Sequence, residues 1–160
     1  MPFPRSTRLC ATLPRIYGIK VVEQEGGFKA GIKAFVEERG VVAFVMGTRK
    51  SDPHAEALQA FTPSTEGWPD FMRVNPILDW EYSHVWEFLR AFELPHCSLY
   101  DKGYTSIGNV RNTLPNPALA IYGTSNASTS DKCSKDRDLI GYMEAWKLED
   151  TNLERAGRTY

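Results

Sequence analysis

The stretch Val41–Pro53, VVAFVMGTRKSDP, decides how the rest of the chain is read. Its first six residues carry no polar side chain, the pattern of a strand buried on both faces of a parallel sheet. The run leads straight into Gly47, Thr48, Arg49 and Asp52. Because parallel sheets bind ligands beyond the carboxyl ends of their strands, this turn is where chemistry is expected. Two readings stand for it. Either Arg49 and the backbone N–H groups around a permissive Gly47 hold an anion while Asp52 bonds a polar ligand edge, or Arg49 and Asp52 pair with one another.

Upstream of the run, Phe28, Ile32, Phe35 and Val36 recur at three- and four-residue intervals. That spacing predicts an amphipathic helix from Phe28 to Arg39, broken before by Gly26-Gly27 and stopped by Gly40. Ile19–Val22 reads as a short strand, so strand, helix and strand form a right-handed parallel crossover. Ser6 to Tyr17 has helical spacing, with Pro14 expected to kink or end the helix, and Gly18 closes the element. The expected class is α/β, a partial Rossmann-like parallel sheet flanked by helices.

Downstream, Gly47 to Asn75 is a long connection punctuated by prolines, of the kind that often carries function. Phe61–Ser64 and Gly67–Pro69 read as ordered turns, and Phe71–Val74 as a further strand. Asp79 suits a helix N-cap before the stripe Tyr82, Val85, Trp86 and Leu89. Leu99–Tyr104 reads as a turn and Ser106–Pro117 as an irregular ordered loop. Tyr122–Asp138, rich in Ser, Thr, Lys and Asp, reads as a flexible loop.

With 160 residues, 42% apolar content and a net charge of −1, the chain suits one domain without a nucleic-acid surface. Any anion must then be met by local arginines. Cys10, Cys97 and Cys133 are odd in number and scattered, which suggests neither a disulfide framework nor a Cys-x-x-Cys site. His54, His84 and His96 have no metal-ligand spacing, so no metal site is expected. No membrane span and no leader is read, and the expected protein is soluble, cytoplasmic and monomeric. Trp80 and Trp86 are expected in the core. Trp68, Tyr100 and Tyr104 lie in loops, where burial and stacking on a planar ligand are both open. Arg155 and Arg158, three residues apart, would share a helical face and could clamp a phosphate, or be solvated. No side chain pairs as nucleophile and base, and no Gly-rich phosphate loop occurs.

Four stretches carry a resemblance over nearly the whole chain, from Phe3 to Arg158. They are MGTRKSDP (46–53), FTPSTEGWPDFMRVNPILDW (61–80), VWEFL (85–89) and LYDKGYTSIGNVRNTLPNPAL (99–119). Together they resemble the eukaryotic FAD synthases, the FMN adenylyltransferases of the PAPS reductase-like superfamily, which implies an adenine nucleotide alpha hydrolase-like form of the α/β fold. The resemblance implies transfer of the AMP part of ATP onto FMN, giving FAD and pyrophosphate with Mg²⁺. Gly47, Arg49 and Asp52, with Trp68 and Tyr104, would then belong to the FMN site. Arg155 and Arg158 would be the catalytic arginines facing the phosphates. In-line attack brings two anions together, so cations and positioning matter more than a nucleophile.

Departures from the family are also visible. Family members often carry an Asp at the position of Thr65, and the nearest carboxylate here is Glu66. In the family's N-terminal portion lies a Ser-Gly-Gly-Lys-Asp-Ser-like pyrophosphate loop, which this chain does not contain. The expectation is therefore a single domain over 1–160 lacking its N-terminal strand and ATP loop, with impaired activity. The alternative is a flavin-binding paralogue without catalysis. The related sulfonucleotide reductases are a weaker fit: where cluster-bearing members read Ser-Ile-Gly-Cys-x-x-Cys-Thr, this chain has Asn109 and Asn112, and Cys133 lies in Lys-Cys-Ser-Lys.

Overall fold

Phe44 is the residue through which helix and sheet meet. Its ring lies edge-on to Phe35 of the preceding helix at 6.4 Å and to Phe71 at 4.9 Å, geometries that aromatic pairs favour. The computed structural model describes residues 4–22, 27–123 and 138–159. Their helices are α1 (Pro4–Tyr17), α2 (Phe28–Arg39) and α3 (Tyr82–Ala91). Their strands are β1 (Ala43–Val45), β2 (Phe61–Pro63), β3 (Met72–Val74), β4 (Ala120–Tyr122) and β5 (Leu139–Tyr142), with short 3-10 turns between them. The described residues group into two compact units, one of residues 20–85 and one of 1–19 with 86–160.

In the 20–85 unit the sheet order is β1-β3-β2. β1 runs parallel to β3, with Phe44 opposite Arg73, and β2 runs antiparallel to β3, with Thr62 opposite Arg73. The expected α/β class and parallel pairing are present, but the sheet is mixed. Pro63, which lacks a backbone donor, sits on an edge strand as it must. α2 has the predicted limits. Gly40 ends it at φ 64°, and its N–H returns to the Val36 carbonyl at 3.1 Å, a conformation open to glycine.

Several expectations are overturned. Ile19–Val22 forms no strand: Ile19 and Val21 are about half exposed, and no described strand pairs with them. The parallel pair is therefore β1 with β3, linked through β2, and not a crossover over α2. Val41–Met46 is not a strand buried on both faces. Val42 and Val45 are each 77% exposed, and β1 pairs along one edge only among the described residues. Phe61–Pro63 is a strand, not a turn. Asp79 caps no helix, because α3 starts three residues later. It binds Lys50 at 2.6 Å, while the Glu81 N–H donates to His84 Nδ1 at 3.0 Å.

The second unit is built around aromatic and buried polar contacts. Trp86 on α3 packs against Tyr100 at 5.1 Å and Trp146 at 5.7 Å, and Arg90 lies over the Trp146 ring at 5.4 Å. Cys97 and Leu99 form a small core with Leu9, Tyr104 and Ile107 against them. β4 and β5 form an antiparallel pair with an irregular register near Tyr122. Tyr122 is thus strand, and the rest of the expected flexible loop at 124–137 lies outside the described residues. α1 continues through Pro14 to Tyr17 and ends where the Gly18 N–H meets the Pro14 carbonyl at 3.0 Å.

Candidate functional site

At the end of β1 the backbone is tied to its neighbours by Met46 N–H to the Val74 carbonyl and Lys50 N–H to the Leu78 carbonyl, both at 2.8 Å. Between these two anchors the chain turns. The Arg49 backbone N–H donates to Asp52 Oδ2 at 2.9 Å, and its Nη2 donates to Oδ1 at 3.1 Å. Arg49 is only 7% exposed. Such a buried pair fixes the turn: the carboxylate holds both the backbone and the guanidinium of the residue three before it. The mutual pairing of the second reading is present, and it leaves the ligand-binding reading of the turn as it stood. Gly47 adopts no positive φ, and a Cβ on it would meet nothing within 4 Å. It leaves open space at the strand end, not a strained bend.

Beside this turn lies a cavity of about 170 Å³. Its walls are Phe28 and Ile32 from α2, Met46 from the end of β1, and Trp68 and Phe71 from the loop before β3. Thr65 and Arg73 are its polar members. Trp68 is braced, with Phe28 edge-on at 5.9 Å and the Lys29 ammonium 5.6 Å from its ring centre. Whole-ligand pockets usually measure roughly 300–1,000 Å³, so this cavity suits one ring system of a larger ligand. Met46, Phe28 and Arg73 were not legible as cavity residues, since their apolar or strand periodicity explained them fully. Thr65, at the position where an Asp was expected, does line the cavity.

In the other unit, residues 103–116 are bound to the C-terminal turn. Asn116 is completely buried and works as the clasp. Its Nδ2 donates to Thr105 Oγ1 at 2.8 Å and to the Leu153 carbonyl at 2.7 Å, and its Oδ1 accepts from the Ala118 N–H at 2.9 Å. Thr105 Oγ1 donates in turn to the Glu154 carbonyl at 2.6 Å. The Asn116-Pro117 dipeptide signalled a turn, but nothing local signalled its burial. Gly103, at φ 80°, puts the Tyr104 loop hard against Tyr142, where a Cβ would collide. Tyr104 itself packs against Cys97 and Leu99.

Arg155 and Arg158 do not share a helix. Arg155 lies in a turn after the short 3-10 segment Thr151–Leu153, and Arg158 bridges to Thr113 as extended chain. The helical-face expectation fails because the chain there pairs with residues 112–114 instead: the Leu114 N–H donates to the Gly157 carbonyl at 2.8 Å and the Thr159 N–H to the Asn112 carbonyl at 3.2 Å. The Arg158 guanidinium lies over Gly108, where a side chain would collide with it, and its Nε is buried with no hydrogen-bond partner among the described residues. The Gly108 N–H meets Thr113 Oγ1 at 3.2 Å. The glycine of Ser106-Ile107-Gly108 is thus the seat of an arginine.

Among the described residues no group of three or more His, Cys, Asp or Glu side chains could hold a metal. None of their helices is long and apolar enough to cross a membrane.

Residues 19–115 match the family model of the phosphoadenosine phosphosulfate reductase domain. The chain is similar to a probable FAD synthase of Schizosaccharomyces pombe, 42% identical over 130 residues, which are 81% of this chain and 43% of the relative. It is also similar to the crystal structure of Candida glabrata FMN adenylyltransferase in complex with FMN and the ATP analogue AMPCPP. There the TM-score is 0.84 at 27% identity, over 98% of this chain and 66% of that one. A structure of the same enzyme with FAD and inorganic pyrophosphate gives a TM-score of 0.82 at 26% identity, over 98% and 65%. The chain therefore spans under half of the fission-yeast relative and about two thirds of the solved one.

Proposed function

The chain belongs to the phosphoadenosine phosphosulfate reductase domain family, and from that membership we propose that it is FAD synthase material: the flavin-binding and C-terminal part of an FMN adenylyltransferase. The observation that carries the reading is the aromatic cavity at the carboxyl end of β1, with Trp68 as a braced wall. It is sized for a ring and sits where α/β sheets take their ligands. Its flavin assignment is supported by one solved relative, seen with FMN and an ATP analogue and again with FAD and inorganic pyrophosphate.

In this reading Trp68 offers a face to the isoalloxazine ring. Arg49 and Asp52 hold the Gly47 turn in shape, and the open space at Gly47 admits the ligand. Tyr104 is assigned to FMN, and Arg155 and Arg158 to the phosphates, on the family resemblance. The reaction needs no protein nucleophile. A phosphate oxygen of FMN attacks the α-phosphorus of ATP, a new P–O–P bond forms, the bond to the β-phosphate breaks, and pyrophosphate leaves. Cations near the meeting phosphates reduce their repulsion in the transition state. Mg²⁺ would arrive on the triphosphate, since the described residues gather no carboxylate cluster to hold it alone. A cytoplasmic monomer is part of the same reading.

The test is FAD formation from FMN and MgATP, followed together with quenching of FMN fluorescence by the chain. Quenching with turnover supports the full assignment. Quenching without turnover supports a flavin-binding protein that does not complete the transfer, and absence of both overturns the flavin reading. Sulfite release with a thiol donor would instead return the chain to the reductase branch, against which Asn109 and Asn112 speak for the cluster-bearing enzymes.

A further inference from the structure

We propose that α1 docks the chain on the surface of an anionic phospholipid bilayer, peripherally and without a span. Charge is the first ground. Residues 1–22 hold four cations, Arg5, Arg8, Arg15 and Lys20, and no Asp or Glu, so all 20 acidic residues of the chain come after them. The formal charge is +4 over this stretch and −5 over the remainder, although the whole chain carries only −1. A near-neutral total thus conceals a cationic end.

Helix geometry gathers those cations. Arg8 and Arg15 are seven residues apart on α1, at positions about 20° from one another around its axis, and Arg5 precedes Arg8 by one turn. Another side of the helix holds it to the protein: Leu9, one position past Arg8 and about 100° further round, packs on the small core of Cys97 and Leu99. At the C-terminal end apolar side chains meet water. Ile16 is 52% exposed, Tyr17 48% and Ile19 48%, beside an exposed Arg15.

Cations alone would suit any polyanion, and exposed isoleucines alone any apolar partner. A bilayer with anionic headgroups satisfies both. Its phosphates and carboxylates meet the arginines, Ile16 and Ile19 enter the boundary of the acyl chains, and Tyr17 sits at headgroup level. Arginine stems lie along such a boundary while the guanidinium stays in water. A nucleic acid would neutralise the cations and leave the isoleucines where they are.

The full 160-residue chain is mixed with vesicles of phosphatidylcholine, with and without phosphatidylserine, and bound protein is measured by co-flotation at low and high salt. Binding is expected only with phosphatidylserine and should weaken as salt is raised. Near such a surface one cation is worth about fivefold in affinity, so the double variant Arg8→Gln/Arg15→Gln should lose roughly 25-fold. Ile16→Ser/Ile19→Ser should lose about tenfold or more. Lys33→Gln removes an exposed cation from α2, outside the stretch, and should leave binding unchanged. Far-UV circular dichroism checks that each variant is folded, and the arginine pair carries the test if the serine pair is not.

Equal binding to vesicles with and without phosphatidylserine would overturn the proposal, since the arginines would then play no part. Loss in the arginine pair with none in a folded isoleucine pair would overturn it too, marking a general polyanion site of the kind a nucleic acid would use. Absence of flotation with either vesicle would overturn it outright, and the flavin reading would be untouched.

Discussion

Replacing Asn116 by alanine should unlatch the C-terminal turn, and the size of the effect can be worked from its contacts. The substitution removes three side-chain hydrogen bonds, to Thr105 Oγ1, to the Leu153 carbonyl and from the Ala118 N–H. At about 1 kcal/mol net each, they amount to roughly 3 kcal/mol. Stranded partners add little. The Leu153 carbonyl still accepts from the Ala156 N–H at 2.9 Å, Thr105 Oγ1 still donates to Glu154, and Ala118 is exposed enough to turn its N–H to water. The expected loss is therefore about 3 kcal/mol, a large share of the ~5–15 kcal/mol that holds a typical domain. Urea unfolding followed by tryptophan fluorescence measures it, with the midpoint falling and the slope unchanged. Thr105→Val should cost about 2 kcal/mol, and because the two share one bond, the double variant should fall short of the sum by about 1 kcal/mol. A loss below about 1 kcal/mol for Asn116→Ala, or strict additivity with Thr105→Val, would refute the clasp.

Three further outcomes follow from local geometry. Gly157→Ala drives a Cβ into the Leu114 carbonyl and should cost about 1–3 kcal/mol. Gly108→Ala meets only the mobile end of Arg158 and should cost under about 1 kcal/mol; thermal melts of the pair decide whether backbone or side chain gives way. Asp52→Ala takes the carboxylate from a 7% exposed Arg49 and should cost about 3 kcal/mol. Asp79→Ala breaks the exposed Lys50 pair and should cost less than about 1 kcal/mol, so equal losses in denaturant would count against the buried-pair account. Val45→Lys, at a 77% exposed edge position, should leave stability within about 0.5 kcal/mol and slow aggregation measured by light scattering.

What the sequence made legible divides along a physical line. α2 was readable to both ends because its signals are local: apolar residues at helical spacing and a glycine whose left-handed φ closes the last turn. The 3-10 turn before Gly103 and the strand at Met72–Val74 were readable for similar reasons. β2 to β5 are all three or four residues long, too short for a period of two to stand out; β3 was readable only from the apolar Phe71, Met72 and Val74, a cluster that β2 lacks. Ile19–Val22 had strand composition and no partner, and strand composition alone makes no strand. At the candidate site, the Arg49 and Asp52 pairing was legible as a local contact at a spacing of three residues. The clasp at Asn116 was invisible, because burial of a polar group depends on chain brought from far away in sequence: Leu153 lies 37 residues from Asn116.

The opening stretch shows why that line runs where it does. Six apolar residues at 41–46 announce a strand that needs cover, and hydrophobic periodicity reports such a need without reporting what meets it. One face of the need is met: Phe44 is held between Phe35 and Phe71, and Met46 becomes a wall of the cavity. The other, which carries Ala43 and Val45, is not met by any described residue, and Val45 stands open to water. Yet the end of the strand is as well fixed as a buried one would be, through β3 on one side and the Arg49–Asp52 turn beyond it. The cavity depends on that fixed end and on the covered face alone. Ring binding at this cavity and cover over the outer face of β1 are thus separable properties, and Val45→Lys should leave flavin quenching unchanged while Trp68→Ala abolishes it.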